Sequence, residues 1–184
     1  MSASRKVLLY YAGYHEWATS RLVSAVQTHL TPEQIEADAG LFFRSVRGTL
    51  NHMYMADALW YHRLSSDPKV PPVNCGMESY WGKPPAAWEG YSQASHASVL
   101  LLKQSKLWRP LVTALTEIDD ERVVSFLDTK GKVVEGSPVV PCLMHVFNHA
   151  THHRGQLHAA MTRFGIPEPF VLDMPAMPKT LFKL

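Results

Sequence analysis

The sequence predicts an all-α protein, a four-helix bundle with a long crossover connection and a small β-hairpin before the last helix. Apolar residues recur at helical spacing in four long segments. A stretch rich in proline and glycine separates the second segment from the third. The chain of 184 residues is 46% hydrophobic and 18% charged, which provides the core of one ordinary domain over residues 1–184.

The first predicted helix covers residues 5–30, where apolar residues recur at the spacing of one helix face. Those residues are Val7, Tyr10, Tyr11, Tyr14, Trp17, Ala18, Leu22 and Val26. A second helix start follows directly. Thr31 is a favourable cap residue, Pro32 suits the first helical position, and Gln34 can complete a capping box. This short helical piece is expected to lead into the second long helix.

The second long helix is predicted over residues 42–65 and is apolar on two sides. One side carries Val46, Leu50, Met53, Tyr54, Tyr61 and Leu64, and the other carries Met55 and Leu59. A helix that is apolar on two sides is typical of the centre of a bundle. The connection over residues 66–88 contains five prolines and two glycines, which exclude a regular helix.

The third helix is predicted over residues 89–118, with a kink at Pro110. A short hairpin is expected over residues 122–135, because two runs rich in valine flank a turn there. The fourth helix is predicted over Pro138–Gly165, since glycine is the favoured residue just past a helix end. The remainder, residues 166–184, is a tail punctuated by prolines.

Composition excludes several classes of protein. The 18 basic and 16 acidic residues give a formal net charge of +2, which is too small to indicate a nucleic-acid or anionic-membrane surface. Cys75 and Cys142 form no CxxC motif, so a disulfide framework and a thiolate zinc knuckle are not expected. The sequence lacks a signal-peptide pattern and any run of the roughly 18 apolar residues that span a membrane. A soluble cytoplasmic protein is expected.

Histidine is the unusual residue of this composition. Five of the ten histidines lie in one 14-residue window, namely His145, His149, His152, His153 and His158. Histidine titrates near neutrality and is the commonest metal-binding side chain. The window lies within the fourth predicted helix, so the helical phase of each histidine decides which neighbours it can reach.

Projected at 100° per residue, His149 and His153 fall one turn apart on the edge of the buried face. Side chains four residues apart lie one above the other on a helix, so these two imidazoles can direct nitrogens at one cation. His152 is expected to face solvent. His158 falls on the other border of the buried face, and the phase of His145 is ambiguous.

Two imidazoles do not complete a catalytic zinc site, which uses three protein ligands and one open position. His52 is the best third donor, because it lies midway along the apolar second helix, where a polar group needs a partner. Plainer alternatives stay open, with His149 and His153 as a hydrogen-bonded surface pair and His52 as a satisfied core histidine. The HExxH motif is absent because residue 150 is alanine, and the Glu-x-x-His pairs of di-iron bundles are absent as well.

Asp57 falls within the apolar stripe of the second helix, and a buried carboxylate must be paired. It could orient a metal-binding imidazole as a hydrogen-bond acceptor. It could equally hold Arg63, Arg154 or a tyrosine hydroxyl in a structural role. Asp57 and His145 are the two candidate catalytic residues for proton transfer.

Three segments resemble the DinB/YfiT-like metalloenzymes, the damage-inducible DinB proteins that are unrelated to the polymerase of the same name. Residues 145–165, HVFNHATHHRGQLHAAMTRFG, resemble the family signature, and the HHRGQ element in them is specific. Residues 46–64, VRGTLNHMYMADALWYHRL, are similar to the second-helix motif, and residues 13–22, GYHEWATSRL, to the first-helix motif. His15 stands where that motif usually has asparagine.

The resemblance implies a four-helix bundle with a metal ion in an open cavity. It carries the ligand role over to His52, His149 and His153, the same side chains that helical phase and pairing select. Zinc and nickel occur in the family, and three neutral imidazoles suit zinc, nickel or iron. Homodimers are frequent in the family. Characterised relatives are thiol-dependent transferases and isomerases that use bacillithiol, mycothiol or glutathione.

We therefore expect a metal-dependent enzyme of the thiol-dependent S-transferase or isomerase type, with a small-molecule substrate and a low-molecular-weight thiol. A bound cation would stabilise a thiolate as it lowers the pKa of water, and Asp57 or His145 would move protons. Hydrolysis by metal-activated water and a non-catalytic, metal-stabilised stress-response binding protein are the alternatives. A homodimer without nucleic-acid or membrane partners is expected.

Overall fold

The computed structural model describes residues 2–65, 87, 90–128, 130, 132–168 and 170–182. Its helices are α1 (Ala3–His29), α2 (Pro32–Glu36), α3 (Val46–Leu64), α4 (Ala94–Ser105), α5 (Trp108–Ala114) and α6 (Val139–Arg163), and its strands are β1 (Val123–Leu127) and β2 (Val133–Pro138). The predicted all-α class with a small hairpin is confirmed. The predicted connection over residues 66–88 lies, except for residue 87, outside the described residues.

Helix α1 matches its prediction closely and contacts α4, α5 and α6. Its first turn is capped by Ser2, whose side chain accepts a hydrogen bond from the backbone N–H of Arg5. The predicted capping box of α2 is also present, because Thr31 and Gln34 each accept a hydrogen bond from the other's backbone N–H. Short local motifs therefore fix this part of the chain.

Helix α3 starts four residues later than predicted. Arg44 has a left-handed backbone with φ 66°, which an ordinary helix does not contain. The Ser45 hydroxyl then accepts a hydrogen bond from the N–H of Gly48 at 3.0 Å and so caps the new helix. The turn and the cap together shift the start to Val46. Helix α3 lies between α4 and α6, as its two apolar sides indicate.

The third predicted helix is wrong in form, since two helices, α4 and α5, replace one kinked helix over residues 89–118. The break lies at Lys106 and Leu107, before Pro110. Proline lacks an N–H, and its ring clashes with the carbonyl four residues earlier, which here belongs to Lys106. Within the first turn of α5 the missing N–H costs nothing, so Pro110 is tolerated near the start of α5 and does not bend one longer helix.

Strands β1 and β2 pair in an antiparallel hairpin, with an irregularity between Val124 and Phe126. Strand β1 contacts α3, and β2 leads directly into α6. Pro138 is the N-cap of α6, and Gly165, with φ 89°, follows its C-cap, as the sequence predicted. The ring centroids of Phe126 and Trp60 lie 5.1 Å apart, so the hairpin packs on the C-terminal half of α3.

The tail packs along α1. The hydroxyl of Tyr14 donates to the carbonyl oxygen of Leu172 at 2.8 Å, and Met177 is buried. A Cβ at Gly13 would lie 3.3 Å from the carbonyl oxygen of Leu181, so glycine permits this close approach. No candidate membrane-spanning helix occurs in the part of the chain that the structure describes.

Two large apolar clusters join the helices of the bundle, and a polar layer separates them along the helix axes. A third, smaller cluster joins α1 to the tail. The first joins the C-terminal half of α1 to α3, α4 and the end of α6 through Leu22, Leu50, Leu101, Leu157 and Met161. The second joins the N-terminal half of α1 to α5 and the start of α6 through Leu8, Trp108, Val112, Leu143 and Phe147. Between them lie the buried side chains of His15, Asp57, His153 and Arg154.

Candidate metal centre

The imidazoles of His52, His149 and His153 converge where α3 and α6 meet at the polar layer. The Nε2 atom of His149 lies 3.0 Å from Nε2 of His52 and 3.1 Å from Nε2 of His153. Helical spacing brings His149 and His153 together, and the packing of α3 on α6 adds His52. These three side chains, predicted from phase and pairing, form a group that could hold a metal ion. We refer to them as the triad.

Phe43, in the connection between α2 and α3, covers one side of the triad. Its ring stacks on His52 with centroids 3.9 Å apart and planes 19° apart, and its centroid lies 5.7 Å from that of His153. Phe43 is buried, so it shields both imidazoles from water on that side. The turn at Arg44 and the cap at Ser45 place Phe43 there by fixing how the chain enters α3.

All three imidazoles of the triad have lowered pKa values. Burial lowers the pKa of His52 to about 2 and that of His149 to about 3, and in each case His153 adds to the shift. Burial also lowers the pKa of His153, although its hydrogen bond to Gln156 opposes the change. Neutral imidazoles keep a nitrogen lone pair, which is the form that ligates metals.

Gln156 fixes the tautomer of one ligand candidate and was not predicted from the sequence. Its Oε1 lies 2.8 Å from Nδ1 of His153, so Nδ1 carries the proton and donates, which leaves Nε2 with its lone pair toward the triad. The amide Nε2 of Gln156 lies 3.0 Å from Nε2 of His152 and donates to it. A carbonyl oxygen behind a ligand imidazole is a frequent arrangement in metal sites. The signal was the three-residue spacing of Gln156 from His153.

The other histidines of α6 lie outside the triad. His152 is exposed, as its phase predicted, and the ring of His158 contacts Phe170 at a centroid distance of 5.0 Å. His145 lies beside the triad, with its ring centroid 5.7 Å from His149 and 5.1 Å from Trp60. Burial, and to a smaller extent the Arg63 guanidinium, lowers the pKa of His145.

Asp57 is buried, as predicted, and it is paired with His15 and Trp108. Its Oδ1 accepts a hydrogen bond from Nε1 of Trp108 at 2.6 Å, and its Oδ2 lies 3.1 Å from Nε2 of His15. Of the partners considered for Asp57 from the sequence, Arg154 reaches it indirectly, through His15. Neither His15 nor Trp108 was predicted as a partner, because they come from α1 and α5, distant along the chain.

The hydrogen bonds of Arg154 determine the protonation of His15. Nη1 of Arg154 lies 3.3 Å from Nδ1 of His15, and a guanidinium can only donate, so Nδ1 must accept. The proton of the neutral imidazole is therefore on Nε2, which donates to Asp57. Burial lowers the pKa of Arg154 to about 10, against the effects of Tyr14 and Asp57, and the guanidinium remains charged at neutral pH. Trp108, Asp57, His15 and Arg154 form a buried hydrogen-bonded chain, which we call the relay chain.

The residues present fit a divalent cation. The triad supplies three neutral nitrogens within 4.8 Å of one another, and no other histidine, cysteine or carboxylate joins this group among the described residues. Three imidazoles suit zinc, nickel or iron. With three protein ligands, a tetrahedral cation would keep one position for water or substrate, which is the arrangement of catalytic zinc sites.

The sequence model of the DinB family matches residues 1–179 of the 184. Neither the comparison with curated proteins nor that with solved structures found a match. The family match contains the four elements that build the triad and the relay chain, namely α1, α3, α5 and α6. The chain therefore belongs to the DinB family.

Proposed function

We propose that this DinB-family protein is a metal-dependent enzyme that uses a low-molecular-weight thiol in S-transfer or in thiol-assisted isomerisation. The observation that carries the proposal is the convergence of three neutral Nε2 atoms from α3 and α6, at 3.0 and 3.1 Å from the central His149. A cation held there acts as a Lewis acid and lowers the pKa of a thiol or of water.

The chain's own residues support the binding step. Phe43 shields the triad on one side, and Gln156 keeps the lone pair of His153 directed at the centre. His145 lies beside the triad and has a lowered pKa, so at neutral pH it is a neutral base that can accept the proton of an incoming thiol. In S-transfer, sulfur then bonds to an electrophilic carbon, and the leaving group departs with its bonding electron pair.

The first test is metal content. Purified protein, loaded with zinc or nickel and desalted, is expected to retain one equivalent by elemental analysis, and His149→Ala is expected to retain none. His96→Ala is the control, because His96 is an exposed histidine on α4. Unchanged metal content in His149→Ala would show that the triad is not the binding site.

The second test addresses chemistry. Zinc- and nickel-loaded protein is incubated with bacillithiol, mycothiol or glutathione and a panel of electrophiles, and thiol adducts or isomers are followed by mass spectrometry. Turnover that requires both the thiol and an intact triad is expected. Metal-dependent product formation without a thiol would instead indicate hydrolysis.

A structural role for the metal is the second candidate, because the triad joins two separate helices, α3 and α6. Metal that binds only the folded state raises its stability. Metal-loaded protein that never turns over the panel, yet loses most of its thermal stability on chelation, would favour this candidate over catalysis.

A further inference from the structure

A small cavity lies between the triad and the relay chain. Its walls include His149 of the triad, His15 and Asp57 of the relay chain, and the apolar side chains of Trp60 and Val146. Its volume is about 10 Å³, close to the ~10–15 Å³ that one water molecule requires. A water molecule is stable in such a space when it has two to four polar partners.

Asp57 provides an acceptor at this cavity. Its carboxylate accepts one hydrogen bond from Trp108 and one from His15. An ionised carboxylate has about four lone-pair sites, so both oxygens can accept further hydrogen bonds.

His149 provides a donor at the same cavity. Its Nε2 faces His52 and His153, which directs the lone pair of that nitrogen to the centre of the triad. A cation bound through this Nε2 would require the proton of the neutral ring to be on Nδ1, where it needs an acceptor. His153 has the same requirement, and there the Oε1 of Gln156 meets it directly at 2.8 Å.

We propose that one water molecule in this cavity joins the triad to the relay chain. The water accepts a hydrogen bond from Nδ1 of His149 and donates one to the carboxylate of Asp57. Asp57 is then a positioning residue that orients His149 through the water molecule. Gln156 orients His153 in the same way by a direct hydrogen bond. The inference rests on the proposed metal binding, since its consequence is a His149 side chain held ready for a cation. Loss of such a partner behind a ligand imidazole costs about 10–100-fold in metal affinity.

The test is the dissociation constant for zinc, measured by competition with a chromophoric chelator, in the wild type and three variants. Asp57→Asn removes the charge and disturbs the acceptor. Val146→Ile adds one methylene to the cavity wall and displaces the water without altering any polar group. Val112→Ile is the matched control, because it adds the same methylene to a buried valine that does not line the cavity.

We expect Asp57→Asn to weaken zinc binding about 10–100-fold, Val146→Ile to weaken it about 10-fold, and Val112→Ile to stay within about threefold of the wild type. A crystal structure of the zinc-loaded protein should show the water between His149 and Asp57. If Asp57→Asn does not fold, Val146→Ile decides. Wild-type affinity in Val146→Ile, or equal losses in Val146→Ile and Val112→Ile, would overturn the inference. A wild type that binds no zinc would instead refute the proposed function.

Discussion

The triad and the relay chain are neighbouring polar groups in one bundle, and they differ in how hydrogen-bond donors and acceptors are paired within them. In the relay chain a donor meets an acceptor at each link, from Trp108 to Asp57, from His15 to Asp57 and from Arg154 to His15. In the triad three nitrogens of the same kind face one another, and all three have lowered pKa values. The links of the relay chain are therefore matched within the protein, whereas the triad is suited to a cation from solution.

The largest expected effect is a loss of stability when the relay chain loses the buried guanidinium of Arg154. Arg154→Leu removes the positive charge of the relay chain and leaves Nδ1 of His15 without its donor, and breaking a buried charged network of this kind typically costs about 3–5 kcal/mol of unfolding free energy. Urea denaturation of the metal-free protein measures this loss. Arg21→Leu on the exposed face of α1 is the control and should change stability by about 0.5 kcal/mol or less. A similar small change in Arg154→Leu would show that the relay chain is not a matched network.

The next largest expected effect is the stabilisation that a cation bound at the triad provides. A cation that binds the folded state alone, supplied at 100 times its dissociation constant, raises the unfolding free energy by about 2.7 kcal/mol. Calorimetry with and without zinc measures the gain, which His149→Ala is expected to lose and Arg21→Leu to keep. Equal stabilisation of His149→Ala would place the bound cation elsewhere.

Gln156 links the two groups in this comparison, because it gives His153 of the triad a hydrogen-bond acceptor of the kind that each donor in the relay chain has. Gln156→Met keeps the length and helix preference of the side chain and removes the acceptor for Nδ1 of His153. We expect zinc affinity to fall about 10–100-fold in chelator competition. His152→Ala, which removes the other hydrogen-bond partner of Gln156 and keeps the bond from His153, should bind zinc like the wild type. If the two variants weaken binding equally, the orienting role of Gln156 is wrong.

The smallest expected effect is a pH dependence of the metal-free protein. The unfolded chain binds a proton at His149 near pH 6.5, whereas the folded pKa is about 3, so below pH 6.5 the unfolded state holds more protons. Stability therefore falls as the pH drops, by about 1.4 kcal/mol per pH unit for this group well inside that window. Urea denaturation at pH 6, 5 and 4.5 measures how the unfolding free energy depends on pH. The dependence should be shallower for His149→Gln, which lacks the titrating ring, than for the wild type. Parallel slopes would contradict the neutral state of the buried imidazole.

Local signals predicted much of the fold. The extent of α1 follows from helical periodicity, the start of α2 from its capping box, and the end of α6 from Gly165, and all of these depend on residues a few positions apart. The late start of α3 and the division into α4 and α5 were missed. A left-handed residue at Arg44 and the position of Pro110 relative to Lys106 became informative only once the backbone path was known.

The candidate site was likewise predicted only in part. Phase along α6 selected His149 and His153, and the need to pair a polar group on an apolar helix selected His52. Asp57 was predicted to be buried, but its partners were not, because 42 residues separate it from His15 and 51 from Trp108. Which of several donors reaches a carboxylate depends on how the helices are aligned, and a single sequence does not encode that alignment locally.

The polar layer also sets the alignment of the helices along their axes. Two apolar clusters above and below a layer would tolerate sliding, since one leucine replaces another at little cost. A slide of α6 by one turn along α1 would carry Arg154 about 5.4 Å from His15 and bring its charge to the edge of an apolar cluster. The relay chain thus fixes the axial position of α6 relative to α1. At that position His149 and His153 of α6 meet His52 of α3.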